Sequence, residues 1–153
     1  MDWQQLRDKI YYIDGSLRDI YVHGTTKHDW TIGADYVNRK YKTSFYPYGT
    51  EIPKDKIDIH QVFEVWDGIH YNLSNVSVFI DDILIKSYFF TDAEIENDIT
   101  PKEINSIDDH HKLIEYMSDI SEILNKKVIL TPENSPDIEL IAVSRNVVTV
   151  NLK

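Results

Sequence analysis

The chain has no cysteine among its 153 residues. That excludes a thiol nucleophile, a cysteine zinc site, an iron–sulfur cluster and a disulfide scaffold. Glycine is scarce as well. Gly15, Gly24, Gly33, Gly49 and Gly68 are the whole set, and no two lie closer than nine residues. A Walker A loop or a G-x-G-x-x-G turn cannot be built from that spacing, so the standard P-loop and Rossmann phosphate cradles are excluded. There is no G-x-S-x-G elbow and no H-E-x-x-H. Long apolar runs are missing too: Val78-Phe79-Ile80 and Ile83-Leu84-Ile85 are typical, against about 20 residues for a membrane helix and about 7–15 for the core of a signal peptide. The expected location is therefore the cytoplasm, without membrane contact, and the N-x-S sequons at Asn72 and Asn75 are expected to be chance.

Cations are outnumbered. The chain holds 26 Asp and Glu against 16 Lys and Arg, a net charge of −10. Clamping nucleic-acid phosphates needs a cationic surface, so direct nucleic-acid binding is not expected. With 42% hydrophobic and 27% charged residues, the length suits one globular domain that needs no metal or disulfide staple.

Periodicity then places the elements. Asp2 and Gln5 form a capping-box pattern, with Trp3, Leu6 and Ile10 at helical spacing, so a short helix is predicted over 3–12. A strand is predicted over 17–22. Residues 29–41 are ambiguous: Trp30, Ala34, Val37 and Tyr41 fit a helical face, but Gly33 costs about 1 kcal/mol there. A strand is predicted over 43–46, and a helix over 57–66, where 62–66 also reads as a strand. Residues 76–80 and 83–90 are the strongest strand signals, joined by a tight hairpin at Asp81-Asp82. Ser106 and Asp109 open the clearest helix, about 107–125. Its apolar stripe is Leu113, Met117, Ile120 and Leu124, and its polar stripe runs through Asp108, Lys112, Glu115, Asp119, Glu122 and Lys126. On that register Leu124→Ala is costly, while Asp119→Ala changes stability by less than about 0.5 kcal/mol. Strands are predicted over 128–130, 138–143 and 147–152. The fold expected is one α+β domain, with an antiparallel or mixed sheet covered by the long helix and by shorter ones.

Three constellations carry possible chemistry. Asp108-Asp109-His110-His111 with Glu115 is the best metal candidate, since His111 and Glu115 share a helix face, but a third ligand is missing and the acids also suit a helix N-terminus. Arg39-Lys40-Tyr41-Lys42 with Phe45, Tyr46 and Tyr48 interleaves cations and aromatics as a single-strand nucleic-acid groove does, or is a helix C-terminus followed by a core strand. The third is Asp92-Ala93-Glu94-Ile95-Glu96-Asn97-Asp98-Ile99. If extended, it puts Asp92, Glu94, Glu96 and Asp98 on one face and Ala93, Ile95 and Ile99 on the other. That is either a solvated edge strand, whose charges block aggregation, or a binding stripe. Charge distribution favours binding. Residues 1–80 carry −2, residues 81–122 carry −9, and residues 123–153 carry +1. Acidity this concentrated steers and selects a basic partner.

In its size, lack of cysteine, α+β order, acidic 92–98 segment and late helix leading into Val128-Ile129-Leu130-Thr131-Pro132-Glu133-Asn134, the chain resembles the small acidic immunity proteins of bacterial toxin systems. The resemblance implies a non-enzymatic inhibitor that blocks a basic toxin domain, often a nuclease. It implies no cofactor. The partner-binding carboxylates expected are Asp92, Glu94, Glu96 and Asp98, joined by Asp81 and Asp82, with Tyr or Trp anchors. The alternatives are a metal-assisted hydrolase using His110 and His111, and a structural or adaptor domain.

Overall fold

The computed structural model describes residues 2–153. The Asp2 carboxylate accepts the Gln5 N–H at 2.9 Å and Gln5 returns the bond, which starts α1 (Trp3–Lys9). A turn leads to β1 (Arg18–His23). A second capping box, Thr26 with Asp29, starts α2 (Lys27–Lys40), so the ambiguous 29–41 region is a helix despite Gly33. β2 (Lys42–Tyr46), α3 (Ile59–Trp66), β3 (Asn75–Ile80) and β4 (Ile83–Tyr88) follow. Asp81 adopts φ 52 between β3 and β4, taking the left-handed conformation that glycine usually supplies in so tight a hairpin. β5 (Glu94–Ile99) leads to α4 (Ile107–Leu124), capped by Ser106 and ended by Asn125 at φ 54. β6 (Val128–Pro132), β7 (Ile141–Ser144) and β8 (Val147–Val150) finish the chain.

The eight strands form one sheet in the order β2-β3-β4-β5-β1-β6-β7-β8, and every pair is antiparallel. The fold is α+β. The helices make one layer on one face: Tyr11, just past α1, bonds to His110 of α4, Lys40 of α2 pairs with Asp119 of α4, and Trp30 of α2 meets Trp66 of α3 edge to face. Leu113, Met117, Ile120 and Leu124 are all buried, as their spacing predicts. The polar stripe is less bare than predicted. Lys112 pairs with Asp81 at 2.9 Å, and Glu115 and Asp119 both take Lys40. Among the described residues, no helix is long and apolar enough to cross a membrane.

One buried cation holds the start of β1. Arg18 is 0% exposed. Its guanidinium donates to the carbonyls of Ile10, Tyr12 and Leu17 and to Ser16 Oγ, while the Tyr12 ring lies 4.0 Å from it. This clamp fixes the chain between α1 and β1.

Candidate functional site

β5 is not an edge strand. It lies between β4 and β1 in the interior of the sheet. Alternation sends Ile95, Asn97 and Ile99 to the helical side, where Tyr116 of α4 donates to Asn97 Oδ1 at 2.7 Å. Glu94, Glu96 and Asp98 therefore point to the face that carries no helix. They stand about 6.6–7 Å apart along the strand.

The neighbouring β1 extends this row into a ladder. Asp98 lies opposite Asp19, Glu96 opposite Tyr21, and Glu94 opposite His23. His23 Nδ1 is 2.7 Å from Glu94 Oε1, and the His23 ring stacks on Tyr21. The Tyr21 hydroxyl donates to Asp19 at 3.2 Å, and the Asn134 N–H donates to the same carboxylate at 2.8 Å. Glu133, beside them, accepts the Leu17 N–H at 2.8 Å. On the other side, Lys86 of β4 lies opposite Asp98 and donates to Ser77 Oγ, its ammonium 5.2 Å from the Tyr46 ring.

Five carboxylates thus share the sheet face opposite the helices; Glu94, Glu96, Asp98 and Glu133 are partly exposed, while Asp19 is buried, 4% exposed, with Asn134 bonded to it. Among the described residues, the only ion pair any of them makes is Glu94 with His23. Their crowding is visible in their acidities. Burial, then Asp19 and Glu133, push Asp98 up to about 6, with Lys86 opposing. Burial, then Asp19, Glu94 and Asp98, raise Glu96. Burial raises Asp19 despite its two donors. A group of like charges with so few counterions, His23 beside Glu94 and Lys86 opposite Asp98, is electrostatically poised to accept cations from outside.

A pH prediction arises here. A carboxyl whose folded pKa is raised binds more protons folded than unfolded between its ordinary value and the raised one. Its unfavourable contribution is complete above about pH 6 and is relieved as the pH falls toward the ordinary carboxylate range. Asp98→Asn is thus expected to stabilise the protein at pH 7.5, by less at pH 4.5, in paired denaturant melts. The difference between variant and wild type is the quantity to follow, because buried His110, held down at about 4 by burial and by His111, destabilises the fold in the opposite sense as pH falls below its ordinary value. An Asp98→Asn gain that is equal at both pH values would contradict a raised Asp98 pKa, whether from burial or from its carboxylate neighbours.

The remaining expected residues lie elsewhere. Asp92 sits in the turn before β5, where its carbonyl accepts the Thr25 hydroxyl and the Trp30 indole N–H. Asp81 and Asp82 are exposed at the β3–β4 hairpin, Asp81 bonded toward the helical side through Lys112. The structure therefore groups Glu94, Glu96 and Asp98 and separates Asp92, Asp81 and Asp82 from them. Asp19, Tyr21, His23 and Glu133 join the group without having been singled out in the sequence. Their pattern was visible only as the alternation of Asp19, Tyr21 and His23 within one strand.

The metal candidate does not converge. His110 is buried with Nδ1 2.7 Å from the Tyr11 hydroxyl, His111 is exposed, and Glu115 is paired with Lys40. Among the described residues, no group of three or more His, Asp or Glu side chains is placed to hold a metal. The aromatic and cationic stretch is likewise taken up internally: Lys40 by Glu115 and Asp119, Tyr41 by Tyr36 and Tyr116, Phe45 by the core. Comparison of the chain with protein-family models, curated proteins and solved structures finds no significant match.

Proposed function

We propose that the protein is a non-enzymatic binding protein that neutralises a basic bacterial toxin domain, with the open face of β5 and β1 as its contact surface. The observation that supports this reading is the set of five carboxylates on the sheet face opposite the helices, four of them reaching its surface and Asp19 buried beneath, with one internal ion pair. A second support is rigidity. The row is paired with β1 along its whole length and with β4 at Asn97 and Asp98, so little ordering entropy is lost when a partner docks. Inhibition would be steric and electrostatic: Glu94, Glu96 and Asp98, each partly exposed, occupy the cationic groove in which a nuclease holds substrate phosphates, while buried Asp19 adds negative potential from beneath. Tyr46 and Tyr88 on the same face, half-buried and exposed, supply aromatic anchors.

The test is association kinetics with a basic nuclease toxin domain at low and physiological salt. Glu94→Lys with Glu96→Lys should slow association at least about tenfold, and the wild-type on-rate should fall as salt rises. Glu51→Lys with Asp55→Lys is the control, because it changes net charge equally on the far side of the sheet, beyond β2. Equal losses from both pairs would reduce the effect to global charge. A toxin domain that binds all three proteins alike would remove the face from the mechanism.

A further inference from the structure

The two edges of the sheet differ. At β2, Phe45 and Lys54 exchange both backbone hydrogen bonds, at 2.8 and 2.7 Å, and Thr43 donates to the Asp55 carbonyl at 2.6 Å, so that edge is closed. β8 has no such cover. Among the described residues, no strand or bridge pairs with its outer side.

Hydrogen-bond phase identifies its free groups. The Asn151 N–H donates to the Leu140 carbonyl at 2.9 Å, which makes those two a hydrogen-bonded pair. Such pairs alternate along an antiparallel ladder, and the register runs Ile141 to Val150, Ala142 to Thr149 and Val143 to Val148. Ala142 with Thr149 is therefore the next hydrogen-bonded pair. Val148 and Val150 are left with N–H and C=O groups turned outward. The strand carries no charge and no proline, and Val147 and Val148 are 67% and 41% exposed. Edges of this kind are normally blunted by Lys, Pro or a bulge.

We propose that β8 is a self-association edge, where two copies of the chain pair antiparallel about a two-fold axis through Thr149 and join their sheets. The outward residues Val148 and Val150 flank Thr149 symmetrically. Val148 of each copy then meets Val150 of the other, and every outward group gains a partner. The valine side chains on the helical side meet across the axis and cover the exposed Val148. Charge selects a second copy over a basic partner. The chain carries −10 in all, but residues 123–153 carry +1, so this edge brings two copies together without opposing their acidic segments, and offers a cationic protein nothing. The closed β2 edge limits the assembly to two. The axis is normal to the sheet, so both carboxylate faces stay open on one side, and β1 lies three strands in from the junction. A ladder this short places the contact at the weak end of interfaces, below about 1,200 Å², so the dimer is reversible and concentration-dependent.

The test uses sedimentation velocity of the full chain from dilute to near-millimolar concentration, with circular dichroism to check folding. The wild type should move from monomer to dimer. Thr149→Lys, which places two ammonium groups on the axis, should stay monomeric, and mixing it with Thr149→Asp should restore a dimer. Thr149→Cys supplies a second readout in a chain with no other cysteine. Thr149 would face itself in a non-hydrogen-bonded pair with Cα atoms about 4.5 Å apart, within disulfide range. It should cross-link under mild oxidation at least tenfold faster than Tyr71→Cys, a site 94% exposed and away from the edge. A wild type that stays monomeric at the highest concentration, a dimer that Thr149→Lys leaves intact, or cross-linking no faster than at Tyr71 would each overturn the proposal. Should Thr149→Lys fail to fold, the cysteine pair decides alone.

Discussion

Arg18→Ala should cost about 3–5 kcal/mol, a large share of the roughly 5–15 kcal/mol that holds a domain folded. The guanidinium is fully buried and, among the described residues, makes no ion pair; its donors go to three carbonyls and a hydroxyl instead. Truncation leaves the Ile10, Tyr12 and Leu17 carbonyls without their side-chain donor, and each buried acceptor left unsatisfied costs about 1–3 kcal/mol. It also opens a void under Tyr12, whose ring loses the cation stacked on it. Arg18→Lys should recover only part of the loss, because one ammonium cannot reach acceptors arranged around a planar fork. Arg18→Met fills the volume but leaves the carbonyls unpaired, so it should stay close to the alanine variant. Denaturant melts with unchanged slope measure all three. An alanine variant within about 1 kcal/mol of wild type would show that water replaces the side chain at little cost. The consequence reaches the candidate site, since Arg18 is followed directly by Asp19, and β1 sets Asp19, Tyr21 and His23 opposite the β5 carboxylates.

That residue marks a limit of the sequence. Local signals in it were clear. Asp2 with Gln5, Ser106 with Asp109, and the stripe Leu113, Met117, Ile120 and Leu124 located α1 and α4, and the alternation around Glu94 to Ile99 gave the correct outward face of β5. Residues 29–41 stayed open because the deciding signal, Thr26 capping with Asp29, begins before that window. Strand order was not legible. β1 lies between β5 and β6, so its neighbours are more than seventy residues away in sequence, and nothing local encodes that insertion. The edge reading of β5 failed for this reason. A row of carboxylates suits an edge, yet Ile95 and Ile99 have core on the other side, and a central strand with one open face satisfies both requirements. Asp19 and Glu133 entered the site through the same long-range pairing. Arg18 resembled an ordinary strand start because its partners are backbone carbonyls, which every sequence contains.

On α4, Leu124→Ala and Asp119→Ala should both destabilise the protein, although the two residues lie on different stripes. Leu124 is 6% exposed in the core. Its truncation should cost about 2–5 kcal/mol through lost burial and a residual cavity. Helical spacing alone made Asp119 dispensable, but α2 changes that. The Asp119 carboxylate accepts the Tyr36 hydroxyl at 2.6 Å and Lys40 Nζ at 2.7 Å. Removing it strips Tyr36, itself buried, of its charged acceptor and leaves only the 3.2 Å contact with Tyr41. Lys40 keeps Glu115, and the ion pair is one-third exposed, so its Coulomb part is screened. The expected loss is about 1–2 kcal/mol, carried mainly by the tyrosine bond. A double-mutant cycle with Tyr36→Phe should return a positive coupling that Lys40→Met does not match. Partial burial opposes ionisation of Asp119, but the bonds from Lys40 and Tyr36 outweigh it and hold the carboxyl below its ordinary range. Its stabilising contribution is therefore present above that range and is lost as the pH falls through the lowered value, so the gap between wild type and Asp119→Ala should close in acid. A change below about 0.5 kcal/mol at neutral pH would return Asp119 to the solvated stripe and leave α2 and α4 joined by apolar packing alone.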